Sequence, residues 1–388
     1  MNVLLIGPSG HGGEGIYVNA LEADPPTGVD YDVSADFHRS ARHAHCLIGR
    51  EVALNRLVHR LAMPDIGMRA LSLDPGYDLV HVHAHPVYLR GLRDTPLVMS
   101  EGSCSAVYLG DYLGWSKRHL ASAYARSRRL YRAVSVHDRL LALSAVRRVY
   151  VFSQWAREIN IRWGADPAKL SVIYPGFDIP VLPQRPTQRP FTFLFVGTDF
   201  ERKGGYDVVE AFARLSAEIE DVRLLLAGFD PHMPNPDLQR HAWVSPSRRA
   251  AVSELLSGLI AGGRAKLIGP VSHEHMVADV FPAADAFVMP TLAEGFGFVL
   301  VEAMSFALPV ITSDVGPARE IVDPGRTGTI VPPANVQNLT EAMGRLATHP
   351  GLASELGRAG RERFLRQFTR ERFRDELGKL YREAVEAG

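Results

Sequence analysis

Two carboxylates, Glu294 and Glu302, stand with seven residues between them, Gly295-Phe296-Gly297-Phe298-Val299-Leu300-Val301. The glycines come first and an apolar run follows. Upstream lies Ala286-Phe287-Val288-Met289, stopped by Pro290; downstream, Ala303-Met304 continues the apolar run. This order predicts a strand, a tight loop and a helix beginning near Gly297. A helix N-terminus offers unpaired N–H groups and a positive dipole end, so it can hold a phosphate. Glu294 would stand in the loop and Glu302 about two turns into the helix. From there the two acids could grip different parts of one elongated, polar, phosphate-bearing molecule, and a sugar nucleotide has that form.

Other groups of residues point the same way with less force. Arg202-Lys203 lies in Gly197-Thr198-Asp199-Phe200-Glu201-Arg202-Lys203-Gly204-Gly205, a loop between strand and helix. Arginine grips phosphate with a fork of N–H groups and lysine supplies a compact charge. The bland alternative is a solvated basic pair, although a helix start disfavours cations unless an anion arrives. Ser9-Gly10-His11-Gly12-Gly13-Glu14-Gly15 follows the first strand and lets backbone approach a phosphate. It is neither the dinucleotide fingerprint nor a Walker loop, and a plain glycine-rich turn explains it equally well.

His81, His83 and His85 alternate along a strand and share one face. Three histidines suit zinc, but no nearby Asp, Glu or Cys completes a recognisable spacing. The favoured reading makes His81 deep and structural, with His83 or His85 at the strand tip against a sugar hydroxyl; the choice between these two stays open. Met99-Ser100-Glu101-Gly102-Ser103 closes another strand. Glu101 and Ser103 are acceptor-side candidates, and Glu101 could equally cap the next helix. Tyr108–Arg148 mixes aromatic and basic residues. An ordinary amphipathic helix is the favoured reading, and peripheral membrane contact through 108–148 is the alternative.

The elements that must position these residues alternate along the chain. Short apolar strands are expected at Val3–Ile6, Leu79–Val82, Leu97–Met99, Arg148–Phe152, Leu170–Ile173, Phe191–Val196, Arg223–Leu226, Ala265–Ile268, Ala286–Met289, Val310–Thr312 and Gly328–Val331. Helical patterns fall between many of them, which predicts parallel sheets covered on both faces. A proline-rich stretch at 179–190 reads as a linker. It divides the chain into an N-terminal Rossmann-like domain at 1–178 on the acceptor side, a C-terminal nucleotide-sugar-binding one at 191–369, and a last helix at 370–388 packing across the boundary. Residues Phe229–Val244 read as a surface loop.

The chain has 388 residues, enough for two α/β domains, and 43 Lys+Arg balance 43 Asp+Glu, so no global field points to nucleic acid. Its two cysteines, Cys46 and Cys104, favour a reducing cytoplasm over a disulfide framework. No apolar run is long enough to span a bilayer. The first residues read as a buried strand, too short for a signal segment.

Together the motifs resemble the retaining, nucleotide-sugar-dependent glycosyltransferase family 4, of GT-B fold. The carriers are Phe195-Val196-Gly197 with Arg202-Lys203-Gly204, then Leu226-Ala227-Gly228, Ile268-Gly269-Pro270-Val271, Ala284-Asp285-Ala286-Phe287-Val288-Met289-Pro290, and the Glu294…Glu302 pair. Pro309-Val310-Ile311, Gly328 and Asn335 to Leu339 continue the pattern. The resemblance implies an α/β GT-B fold, two Rossmann-like domains facing a central cleft. It implies that Arg202 and Lys203 hold the donor diphosphate, with Gly12 and Gly13 approaching it and Gly197 beside it. Glu294 would bind donor sugar hydroxyls, helped by backbone at Gly295, Phe296 and Gly297. Glu302 would bind the ribose, Ile268 and Val271 the base, and His83 would match the family's N-domain histidine. Relatives often carry histidine where this chain has Glu101, and their Pro-Asn-Gly-Val-Asp is here Tyr174-Pro175-Gly176-Phe177-Asp178.

The expected reaction is sugar transfer with retention, without metal or cofactor, from a UDP- or GDP-sugar as co-substrate to an acceptor that the sequence does not name. No Asp-x-Asp motif stands out as a metal site. A sugar-nucleotide epimerase on the same fold and a non-catalytic nucleotide-sugar-binding module are the rival functions.

Overall fold

In the computed structural model the described residues are 1–7, 13–35, 44–46, 69–73, 76–83, 87–90, 95–102, 110, 116–119, 121–122, 125, 146–182, 189–229 and 243–386. The chain forms two compact units, Met1–Gly176 with Arg370–Gly388, and Phe177–Thr369.

The first unit is built on a parallel sheet of β1 (Asn2–Gly7), β2 (Asp30–Ala35), β5 (Leu79–His83), β7 (Leu97–Glu101), β8 (Arg148–Val151) and β9 (Leu170–Val172). Their order is β2-β1-β5-β7-β8-β9. The central strands are apolar on both faces, as parallel strands between helical layers must be: Val3, Leu4, Leu5 and Ile6 are all fully buried. Leu4, Ile6, Val80, Val82, Met99, Val149 and Val151 form one core cluster with Ala156 of the helix Gln154–Arg162. That helix starts where Ser153 Oγ accepts the Ala156 N–H at 3.0 Å.

A smaller sheet joins β3 (Ala44–Cys46) antiparallel to β4 (Arg69–Leu73), and β4 parallel to β6 (Val87–Arg90). The strand order of the main sheet reverses between β1 and β5, whose carboxyl ends are Gly7 and His83. A Cβ on Gly7 would meet Val18 Cγ2 at 2.6 Å and His83 Cβ at 3.4 Å, so glycine lets the first helix and β5 close on the end of β1.

The last helix, Arg370–Glu386, belongs to this first unit. It buries Phe373, Leu377, Leu380, Tyr381 and Ala384, a stripe of helical period. Arg374 Nη1 reaches Asp24 Oδ1 at 2.8 Å beside it.

The second unit is a parallel sheet of β10 (Phe191–Val196), β11 (Val222–Ala227), β12 (Ala265–Gly269), β13 (Ala286–Met289), β14 (Val310–Ser313) and β15 (Gly328–Val331). Its order, β12-β11-β10-β13-β14-β15, is the 3-2-1-4-5-6 arrangement of dinucleotide-binding sheets. The order reverses between β10 and β13. In such sheets ligands bind outside the carboxyl ends of the strands at that switch point.

The structure departs from the sequence pattern in several places. β2, β3, β4 and β6 are strands that the hydrophobic pattern did not single out. The helix after β13 runs Phe298–Ser305 with Gly297 as its N-cap, so Glu302 is its fifth residue, one turn in rather than two. Phe229 and Val244 are buried, so the ends of the expected surface loop are anchored; 230–242 lie outside the described residues. Most of 108–148 also lies outside them. No helix among the described residues is long and apolar enough to cross a membrane.

Candidate active site

The loop after β10 and the loop after β13 leave the second sheet on either side of its switch point, and backbone ties them together. The Leu292 N–H donates to the Arg202 carbonyl at 2.7 Å, and Thr291 Oγ1 lies 3.2 Å from the same oxygen. Gly204, at φ 79°, ends the first loop and caps the helix Gly205–Glu218. A Cβ there would lie 2.2 Å from the Pro290 carbonyl oxygen. Gly316, at φ 54°, passes equally close to the second loop, where a Cβ would come 2.4 Å from the Glu294 carbonyl oxygen. Glycine is required at both places by close approach and by left-handed backbone.

This frame holds the charged side chains. Arg202 Nε donates to Asp199 Oδ2 at 2.8 Å and its Nη1 to the Ala293 carbonyl at 2.7 Å. Lys203 Nζ forms an ion pair with Glu294 Oε2. The Gly295 N–H donates to Glu294 Oε1 at 3.2 Å. Burial opposes ionisation of Glu294, but Lys203 and Arg202 outweigh it and hold the carboxyl below its usual range. Burial pulls the Lys203 ammonium down, and Glu294 offsets part of that shift. Both side chains are mostly covered, at 15% and 11% exposure, where charge interactions are weakly screened.

Two cations thus face two carboxylates, and the cluster is electrically balanced without ligand. An anion entering it can draw the Lys203 ammonium away from Glu294, which frees that carboxylate to accept hydroxyls. The adjacent helix N-terminus at Gly297, φ 96°, adds N–H groups. Phe296 is buried and packs edge-on against Phe298 and Phe368, so its side chain serves the core and only its backbone can serve a ligand. Gly197 lies against Lys203: a Cβ there would meet Lys203 Cγ at 3.0 Å.

Glu302 stands apart from this balance. Its side chain keeps 20% of its surface, and burial alone pushes its carboxyl up to about 7. His273 Nδ1 lies 3.4 Å from Glu302 Oε1. Ile268, in β12, and Val271, just beyond it, are both half-buried at the carboxyl end of that strand. The Gly269 carbonyl accepts the Gly228 N–H at 2.9 Å, which closes β11 and β12 together at this end.

In the first unit, His83 stands at the tip of β5, at the switch point, and both it and His81 are fully buried. Both share a face of the strand, as their alternation requires. Ser100 Oγ lies 2.7 Å from His81 Nε2 and 2.8 Å from His83 Nδ1. Glu101 ends β7 and is buried, 3% exposed. Gly13 opens the helix Gly13–Ala23 after β1. Gly12, His85 and Ser103 lie outside the described residues. Asp30-Tyr31-Asp32 has Asp-x-Asp spacing but sits at the amino end of β2, where Asp32 accepts the Tyr77 hydroxyl. Among the described residues no group of three or more His, Cys, Asp or Glu could hold a metal ion.

Sequence reasoning missed Asp199, His273 and Ser100. Asp199 is three residues before Arg202, a spacing that signals a local pair. His273 follows Ser272, whose hydroxyl accepts the His275 N–H at 3.2 Å, and that cap was the readable signal. Ser100 carried no signal, because only the pairing of β5 with β7 sets it opposite His83.

Residues 183–363 match the family model described as glycosyl transferases group 1. Over 395 aligned residues the chain is 28% identical to an alpha-maltose-1-phosphate synthase of Mycolicibacterium smegmatis, covering 97% of this chain and 96% of that protein. It is also 28% identical to a D-inositol 3-phosphate glycosyltransferase of Rhodococcus erythropolis, over 80% of this chain and 69% of that one. Among solved structures, a sucrose-phosphate synthase of Thermosynechococcus elongatus matches all of both chains with a TM-score of 0.68 at 24% identity. Anabaena HepE, solved with UDP and glucose, matches 97% of this chain and 98% of its own with a TM-score of 0.64 at 17% identity. These likenesses establish the fold: two six-stranded parallel α/β units of GT-B type.

Proposed function

We propose, from the match of residues 183–363 to the glycosyl transferases group 1 model and the likeness to the transferases above, that the chain moves a sugar, with retention, from a nucleoside-diphosphate sugar to an acceptor hydroxyl without a metal ion. The observation that carries this reading is the meeting of Arg202, Lys203 and Glu294 at the switch point of the second sheet. A diphosphate suits the two cations and the helix start. Donor sugar hydroxyls suit Glu294, and ribose hydroxyls suit Glu302. His83, at the switch point of the first sheet, is the histidine assigned to the reacting sugar.

In the reaction the bond between the anomeric carbon and the β-phosphate oxygen breaks. The acceptor oxygen bonds to the same face of that carbon, and its proton passes to the departing phosphate. Negative charge grows on the phosphate, where Arg202, Lys203 and helix N–H groups offset it through a preorganised field. Two fixed cations supply the charge that a metal would otherwise bring, which is the argument for metal independence. The donor is a UDP- or GDP-sugar in this reading, and the reaction runs in the cytoplasm, where such donors meet a chain with few cysteines.

Lys203→Ala is expected to lower turnover at least ~100-fold, the scale of losing one charge-stabilising contact. Donor hydrolysis, followed as nucleoside diphosphate release, provides an assay that needs no acceptor. Near-normal release in the variant would remove Lys203 from the role. Conversion of the donor into an isomeric sugar nucleotide would instead identify an epimerase.

A further inference from the structure

The polar groups buried in the first unit form a continuous chain that ends on His83. Tyr31 Oη and Tyr381 Oη are 2.9 Å apart. Tyr381 Oη lies 2.7 Å from His81 Nδ1, His81 Nε2 lies 2.7 Å from Ser100 Oγ, and Ser100 Oγ lies 2.8 Å from His83 Nδ1. His81, His83 and Tyr381 are fully buried and Ser100 is 1% exposed. The chain crosses elements remote in sequence. Tyr381 comes from the last helix, His81 and His83 from β5, and Ser100 from β7, where it pairs in register with His83. The other titratable groups facing it are Tyr17 and Tyr150, which hydrogen-bond each other and both reach the Ser100 hydroxyl; Tyr150 Oη is 3.4 Å from His81 Nε2.

We propose that His81, Ser100 and Tyr381 are positioning residues that set the tautomer of His83, leaving its proton on Nε2. Burial, and then the neighbouring His83, push His81 well below its usual pKa, so its ring is neutral and carries one N–H. A neutral imidazole donates at one nitrogen and accepts at the other. Every hydroxyl along the chain must therefore point in the same sense.

The sense is fixed at the tyrosine. A phenol donates readily to an imidazole nitrogen and accepts poorly through an oxygen conjugated with its ring. Tyr381 therefore donates to His81 Nδ1, and Tyr31 donates to Tyr381. The His81 proton then sits on Nε2 and is donated to Ser100 Oγ, with Tyr150 Oη as a more distant acceptor. By the same preference the Tyr17–Tyr150 pair donates to Ser100 Oγ rather than accepting from it, so the Ser100 hydroxyl donates to His83 Nδ1. Neutral His83 then carries its proton on Nε2 and acts as a hydrogen-bond donor there, not as a base. This agrees with a transfer in which the departing phosphate takes the acceptor proton.

The inference rests on the reading of His83 as a residue of the transfer reaction. The test uses the full-length protein with isotopically labelled histidine nitrogens, compared in wild type, Tyr381→Phe and Ser100→Ala. His83→Ala identifies the resonance, and melting curves confirm that each variant folds. At about pH 8, well above the ordinary histidine pKa, wild-type His83 is expected to show a protonated Nε2 and a bare Nδ1. Tyr381→Phe, which removes one oxygen, should mix the tautomers. It should also slow UDP release from UDP-glucose, or GDP release from GDP-mannose, about 5–10-fold in kcat, the scale of one orienting hydrogen bond. The donor KM should hold.

A proton on His83 Nδ1 in the wild type, or an unchanged tautomer in Tyr381→Phe, would overturn the proposal. Wild-type turnover in His83→Ala with the expected tautomer would overturn the role of His83 in the reaction, and the positioning role with it.

Discussion

Glu302 is an acid that ionises against its surroundings. Burial raises its carboxyl to about 7, above the ordinary value of about 4.3. A raised acid pKa means that the folded protein binds the proton more tightly than the unfolded chain. Stability from this group is therefore full below the unfolded pKa and is lost as pH rises from about 4.3 to about 7, by roughly 4 kcal/mol. Ribose hydroxyls donating to the carboxylate would favour its charged form. Nucleotide affinity should accordingly rise with pH between about 6 and 8, and Glu302→Gln should flatten that rise. Calorimetric titration with UDP or GDP at both ends of the window measures it; equal slopes in wild type and variant would remove Glu302 from the nucleotide site. Residues of this kind are legible in a sequence because charged types placed among apolar ones need a reason. Their partners are less so. The Ala293 carbonyl on Arg202 and the Ser100 hydroxyl between two histidines arise from loop geometry and strand register, which residue types do not encode.

Elements carry these residues to their places, and the loops that join them tolerate little change. Gly204→Ala would add a Cβ 2.2 Å from the Pro290 carbonyl oxygen in left-handed backbone. The conformation alone costs about 1–2 kcal/mol, and the clash must also push apart the two loops that hold Lys203 and Glu294. Loss of both stability and donor hydrolysis is expected. Gly351→Ala is the control, since an added Cβ there meets nothing within 4 Å; it should change urea unfolding by less than about 1 kcal/mol. Equal effects of the two substitutions would sink this account of the loop.

The strands of the second unit were readable because each is a short apolar run ended by a turn, and β10, β13 and β15 keep their expected bounds. β2 escaped because it is an edge strand whose residues, Asp30-Tyr31-Asp32-Val33-Ser34-Ala35, are half polar and form no apolar run. β6 escaped because Val87-Tyr88-Leu89-Arg90 is only four residues long and ends on a charge, too short a run to stand out.

At the scale of the whole molecule, the chain returns to its first unit at its end. Phe373, Leu377, Leu380 and Tyr381 of the last helix are buried there. Each such side chain contributes roughly 1.5–3 kcal/mol of burial, and together they rival the stability of an ordinary domain. Truncation after Thr369 should therefore unfold the first unit while the second, Phe177–Thr369, keeps its own sheet. Limited proteolysis would show a protected fragment of the second unit alone; a truncated chain as resistant as the full one would contradict this role of the helix.

The central claim is that Arg202, Lys203 and Glu294 form a nucleoside-diphosphate-sugar site. Its most direct test is thermal unfolding of wild type and Lys203→Ala with UDP, GDP, ADP and dTDP and their common hexose conjugates. At a ligand concentration near 100 Kd, one nucleotide family should raise the wild-type Tm by roughly 5–10 °C, and the variant should lose most of that shift. No shift with any of them, or the same shift in both proteins, would contradict the account.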